Sequence, residues 1–444
     1  MYNFAKGKYS DVRIEDRFTT AIVVTNGEIS QCRQLREKKA FLRVYDGKKW
    51  YYASTDDVHR VEDMLAELAE YAQYNADIDE NPVVKAFEVN KDVVMRFENN
   101  CVRDIPLSRK TDFAKKVAAG VKSPYAKVVN AVYADRFSAY EFYSSKGADI
   151  RYDFQTAGCV IAAQFAEKDE VLDNYHAVNL TGFEELVSKM DVTDFVKESE
   201  NALLNSKKLE KAGSYPVILS PMVTGVFAHE SFGHKSEADF MLGDEALAKE
   251  WSIGKKVGSD KLSIVDSGQI DGAGYVPYDD EGTKATRTYL IRNGVLTGRL
   301  HSAETAAYLG EKPTGNARAT DCGFEPIVRM TSTFVEKGTE KVEDLFASIK
   351  HGYYIKSYKH GSGMSTFTIA PLIAYEIVDG KIGDPVKIAV ITGNVFETLS
   401  LIDGVADDEQ VTSSPTGGCG KMEQFPLNVA MGGPHIRISA MNVQ

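Results

Sequence analysis

The segment His229-Glu230-Ser231-Phe232-Gly233-His234 constrains this chain more than any other, because it sets two imidazoles five residues apart around a carboxylate. On a regular α-helix an offset of four leaves side chains about 40° apart, and an offset of five leaves them about 140° apart. A helix that aims both histidines at one metal must therefore be irregular. A π-bulge adds one residue to a turn, restores the alignment, and is found mostly at functional sites. Gly233 would ease that distortion or end the helix. Two imidazoles bracketing a carboxylate are parts of a zinc-hydrolase centre.

The flanking residues predict an element able to carry this motif. Tyr215-Pro216-Val217-Ile218-Leu219 reads as a short buried strand, followed by Ser220 as N-cap and Pro221 at the first helical position. Met222, Val223, Val226 and Phe227 recur at helical spacing and would anchor one face in a core.

A catalytic zinc takes three protein ligands and keeps a position for water, so a third donor must come from elsewhere. The candidates are Glu237, Asp239, His301 and Cys419. Glu237 and Asp239 follow His234 so closely that they could instead orient the histidines from behind. Cys419 is favoured: in Thr416-Gly417-Gly418-Cys419-Gly420-Lys421 the glycines let the backbone come close and leave a thiolate presentable. Its bland alternative is a buried free thiol.

These residues belong to a wider set of ordered motifs. After the histidine segment come Tyr278-Asp279-Asp280-Glu281-Gly282-Thr283, Leu290-Ile291-Arg292-Asn293-Gly294-Val295-Leu296, Gly315-Asn316-Ala317-Arg318, Pro326-Ile327-Val328-Arg329-Met330, Ile391-Thr392-Gly393-Asn394 and Cys419-Gly420-Lys421-Met422-Glu423-Gln424. Together they resemble the TldD/PmbA metallopeptidases over most of the chain, on the catalytic, TldD-like branch. The resemblance implies a two-domain chain that dimerises, either with itself or with a metal-less homologue. It implies zinc held by His229, His234 and Cys419, with Glu230 as general base and unfolded or short peptides as substrates. Lys235-Ser236 after the second histidine and Met422-Glu423 before Gln424 depart from the family pattern, which bears on substrate preference rather than on the metal.

Other segments carry less. Asp279-Asp280-Glu281-Gly282 lacks the alternate spacing of a calcium loop and reads as a solvated turn. Gly361-Ser362-Gly363 and Gly420-Lys421 complete neither a dinucleotide fingerprint nor a P-loop. Arg318 and Arg329 could hold a substrate carboxylate or pair with acids, and the structural reading is favoured for each. His59, His176, His351, His360 and His435 have no ligand spacing. A net charge of −12 offers no basic footprint for nucleic acid. The start of the chain has no apolar signal core and no run is long enough for a membrane span. Cys32, Cys101, Cys159, Cys322 and Cys419 form no close pairs. A cytoplasmic protein is expected.

The pattern predicts an α+β fold in two domains, residues 1–210 and 211–444. Residues 8–55 read as strands turning at Asn26-Gly27 and Asp46-Gly47, then a helix over 58–72 and another over 111–121. Residues 126–176 alternate as an antiparallel meander, and a helical stretch runs from Phe183 to about Ala212. The C-terminal domain opens with the metal-bearing helix and becomes mostly β, with hairpins at Asn293-Gly294 and Asp379-Gly380. The function expected is zinc-dependent hydrolysis of peptides. The rivals are a non-enzymatic regulatory protein of the gyrase-modulator type and a zinc hydrolase of non-peptide amides.

Overall fold

A computed structural model describes residues 2–363 and 365–444. The first half is built on a strongly alternating pattern that forms one seven-stranded sheet. Its strands are β1 (Tyr9–Thr25), β2 (Glu28–Tyr45), β3 (Trp50–Thr55), β4 (Lys91–Val94), β5 (Ala126–Ser144), β6 (Asp149–Glu167) and β7 (Glu170–Leu180). Neighbours run β3-β2-β1-β5-β6, all antiparallel, and β6 then pairs β4 in parallel and β7 antiparallel. Asn26 and Gly27 both take positive φ, at 49° and 89°, as a tight hairpin between β1 and β2 requires. Helices Val61–Tyr71 and Leu107–Gly120 pack on this sheet through Val61, Leu65, Phe113, Ala114 and Val117.

The helical stretch after β7 is two helices rather than one, Phe183–Lys189 and Thr193–Asn205. The break follows from Asp191, whose carboxylate accepts the Thr193 backbone N–H at 2.9 Å and starts a new helix. A short helix at Pro82–Ala86, capped by Asn81, was not expected from the sequence.

Among the described residues, the strands beyond residue 206 pair only among themselves, chiefly in an eight-stranded and a six-stranded sheet. Gly213–Leu219 lies in the larger one, parallel to His351–Gly363 and antiparallel to Ile436–Val443. Both expected hairpins are present, between Arg287–Arg292 and Val295–Leu296 and between Thr366–Val378 and Lys381–Lys387. The fold is therefore α+β, with a mainly antiparallel N-terminal sheet and a β-rich C-terminal half.

Helix Pro221–Ala228 is the element that positions the site. Ser220 caps it by accepting the Val223 N–H, and Pro221 occupies its first turn. Seven of its eight residues are buried because it lies between the two C-terminal sheets. Gly225 meets the Gly432 backbone on one side, and Val226 meets Gly361 on the other. Phe227 packs edge-on against Phe367 at 5.0 Å and Phe232 tilts onto Trp251 at 4.8 Å. Burying each such ring stabilises by about 1.5–3 kcal/mol, so the end of the helix is held rigidly.

The turn at 279–283 is present but buried rather than solvated. Asp279 accepts backbone N–H groups of Glu281, Thr283 and Ala317 at 2.9–3.0 Å. Asp280 pairs with Arg13 at 2.9 Å and Glu281 with Arg43 at 3.1 Å, both from the N-terminal sheet. These acids tie the two halves together, which is why water does not reach them.

Candidate metal centre

The helix does not end at Ala228 but widens. Residues His229–Gly233 form a π turn in which the His234 N–H bonds to the His229 carbonyl. A short 3₁₀ turn over His234–Ser236 follows. Gly233 belongs to this turn for lack of space, since a Cβ there would come within 2.2 Å of Met330 Sδ. The extra residue in the turn brings the two imidazoles together, with ring centroids 5.0 Å apart and planes at 80°.

Cys419 arrives from the other end of the chain on a two-stranded hairpin, Cys419–Lys421 with Gln424–Leu427. One donor atom each from His229, His234 and Cys419 lie within 4.8 Å of one another. His234 Nε2 is 3.5 Å from Cys419 Sγ. Two ligands at zinc–nitrogen and zinc–sulfur bond lengths and a tetrahedral angle would stand about 3.5 Å apart. His229 Nδ1 is buried without a hydrogen-bond partner. Two imidazoles and a thiolate suit zinc better than the harder divalent cations. The residues present thus fit a zinc ion.

Electrostatics favour the ligating form of the cysteine. Burial pushes the Cys419 thiol up, but hydrogen bonds and charge from His229 and His234 outweigh it and hold it down at about 5. Burial likewise opposes charge on His234, yet Cys419 and Glu237 raise it to about 10. Both shifts favour the charged forms, a thiolate beside an imidazolium.

Glu230 lies inside the π turn and is only partly buried, unlike the His229 and Ser231 beside it. Glu237 is fully buried, and its Oε2 lies 3.2 Å from His234 Nδ1. Burial would raise the Glu237 carboxyl, but His234 and Lys421 hold it below the usual carboxylate range. Asp239 touches neither histidine and instead meets Lys421 Nζ at 2.7 and 2.8 Å. His301 is elsewhere, buried between Thr305 at 3.1 Å and Glu311 at 2.9 Å.

Two arginines have roles the sequence did not indicate. Both donate to backbone carbonyls rather than to acids: Arg318 to Met330 and Asn428, and Arg329 to Cys419 at 2.8 Å and Gln424 at 3.4 Å. Arg329 therefore holds the cysteine hairpin in place. Lys421 was also missed as part of the site; strand alternation, which puts residues two apart on one face, was its only signal. Among the tyrosines, Tyr358 is close enough to feel the Glu230 charge, which joins burial in holding its phenol proton on.

Residues 212–444 match the family model described as the PmbA/TldA metallopeptidase C-terminal domain, and residues 10–72 and 101–199 match its domain 1 and central domain. The chain belongs to the PmbA/TldD metallopeptidase family. A metalloprotease of Methanothermobacter thermautotrophicus is 31% identical over 97% of this chain and 94% of its own. A protein of Saccharolobus solfataricus named zinc metalloprotease TldD homolog is 28% identical over 98% of this chain and 96% of its own. Among solved structures, a Thermotoga maritima protein described as a modulator of a DNA gyrase superimposes with a TM-score of 0.79 at 19% identity, covering 99% of this chain and 96% of that one. TldE of Thermococcus kodakarensis gives 0.73 at 18%, covering 98% and 96%. At those identities the last two speak for the fold alone. No described helix is long and apolar enough to cross a membrane.

Proposed function

We propose that this chain is a zinc-dependent peptidase, with His229, His234 and Cys419 as ligands and Glu230 as general base. The observation that carries this reading is the convergence of those three donor groups, from segments 185 residues apart, beside a partly exposed glutamate. The zinc in the name of the Saccharolobus relative supports the choice of metal.

When bound, zinc supplies a hydroxide nucleophile near neutral pH and polarises the scissile carbonyl. Glu230 takes the proton from the attacking water and returns it to the departing amine. Glu237 accepts a hydrogen bond from His234 Nδ1–H, which fixes the tautomer that presents Nε2 to the metal. A partly open Glu230 on an otherwise buried turn lets substrate reach the base.

The substrate class is short or unfolded peptide. Strand His351–Gly363 pairs with Gly213–Leu219 only over Tyr353–Ile355, and the rest of that edge has no strand partner among the described residues. That unpaired length runs beside Glu230, which Gly361 and Gly363 approach. An extended peptide could add there through main-chain hydrogen bonds with little sequence preference.

The test is peptide hydrolysis by the zinc-loaded protein beside Glu230→Gln. Loss of the general base should lower kcat by about 10²–10⁴-fold with zinc still bound. Full activity in Glu230→Gln would reject the assignment, and a folded protein cut as fast as an unstructured peptide would reject the substrate class.

A further inference from the structure

The group that joins the two halves of the candidate centre is a buried cation. The Lys421 side chain is 3% exposed, and its ammonium meets Glu237 Oε2 at 3.1 Å, both oxygens of Asp239 at 2.7 and 2.8 Å, and the Val328 carbonyl at 2.9 Å. It also sits 4.3 Å from the centroid of the Phe240 ring. An ammonium has three donors and no acceptor, so this set satisfies it fully.

Lys421 stands two residues after Cys419 on the same short strand, and the burial alternates as buried, exposed, buried over Cys419-Gly420-Lys421. Strand geometry therefore puts Sγ and Nζ on one face. Opposite them, the turn after the helix presents His234 and then Glu237. His234 is thus held at both nitrogens, by Cys419 at Nε2 and Glu237 at Nδ1, while Glu237 and the cysteine strand are held to each other by Lys421.

We infer that Lys421 is a positioning residue for the metal site: it sets the distance between the thiolate of the hairpin and the imidazole of the helix. The inference rests on the zinc reading above. Without the ammonium, the cysteine strand would lose its ion pairs to Glu237 and Asp239, both on the segment that follows His234, and the hairpin and that segment would be free to part. Outer groups that orient metal ligands typically matter by 10- to 100-fold in metal affinity. Lys421 acts on both ligand-bearing segments at once.

Zinc affinity, measured by chelator competition on the full chain, separates the possibilities. Failure of the wild type to bind zinc rejects the zinc reading itself. With wild-type binding in hand, Lys421→Met should bind zinc about 10- to 100-fold more weakly, and its Co²⁺-loaded form should show a weakened or shifted thiolate-to-cobalt charge-transfer band. Lower thermal stability with unchanged affinity and an unchanged cobalt spectrum would mean that Lys421 only supports the fold, and would overturn the inference. If Lys421→Met does not fold, the near-isosteric Asp239→Asn is read the same way. Several-fold weaker zinc binding is expected there, and wild-type affinity would overturn the inference.

Discussion

The backbone N–H of His234 donates to the carbonyl of His229, five residues back, and this single π-type bond turns both rings toward Cys419. On a regular helix their directions would differ by about 140°. The local irregularity is therefore the structural condition for a shared ligand set, and its surroundings fix it: Phe232 against Trp251, Gly233 against Met330, and Gly225 against the neighbouring sheet.

The approach of helix to sheet at Gly225 predicts a steric penalty. An added Cβ would lie 2.5 Å from the Gly432 nitrogen and 2.8 Å from its Cα, and backbone cannot swing aside as a side chain can. Gly225→Ala should destabilise the protein by about 1–3 kcal/mol, read as a lower urea midpoint. An unchanged midpoint would show that helix and sheet are not in the contact described.

The buried charges between the halves predict a larger effect. Arg43 meets Asp11 at 2.9 Å and Glu281 at 3.1 Å with 7% of its side chain exposed. Arg43→Met strands both carboxylates and should cost about 3–5 kcal/mol in equilibrium unfolding. A loss below about 1 kcal/mol, the range of exposed pairs, would place this arginine at the surface instead.

The Cys419 thiol predicts a pH signature in the metal-free protein. Its folded value, about 5, lies below the ordinary 9.0, so thiolate persists above about pH 5 and is lost below it. A depressed acid contributes its full stability above the unfolded value and loses it as pH falls through the folded one. The window therefore runs from about 9 down to about 5. The ultraviolet thiolate absorbance of wild type minus Cys419→Ala should titrate at the lower end. A midpoint near 9 would mean that the histidines do not contact the sulfur.

Much of the fold was legible where local signals act alone. Asn26-Gly27, Asn293-Gly294 and Asp379-Gly380 each make the hairpin their chemistry favours, and Ser220-Pro221 starts the helix that the sequence marked. The five-residue histidine offset led to the π turn because only one helical distortion restores the alignment. What failed depended on partners remote in sequence. Asp280 and Glu281 looked solvated because Arg13 and Arg43, more than 200 residues upstream, are what bury them. Arg329 looked like an acid's partner because nothing local shows that it faces the Cys419 carbonyl. Lys421 carried no reading of its own in the sequence, because only the docking of its hairpin sets it against Glu237 and Asp239.

The most direct measurement of the central claim is the zinc content of purified wild-type protein by elemental analysis, beside His229→Ala, His234→Ala and Cys419→Ala. The account predicts one zinc per chain in the wild type and its loss in each variant, with the variants still folded by circular dichroism. A wild type that takes up no zinc when zinc is supplied, or a Cys419→Ala protein that retains it, would contradict the proposed centre.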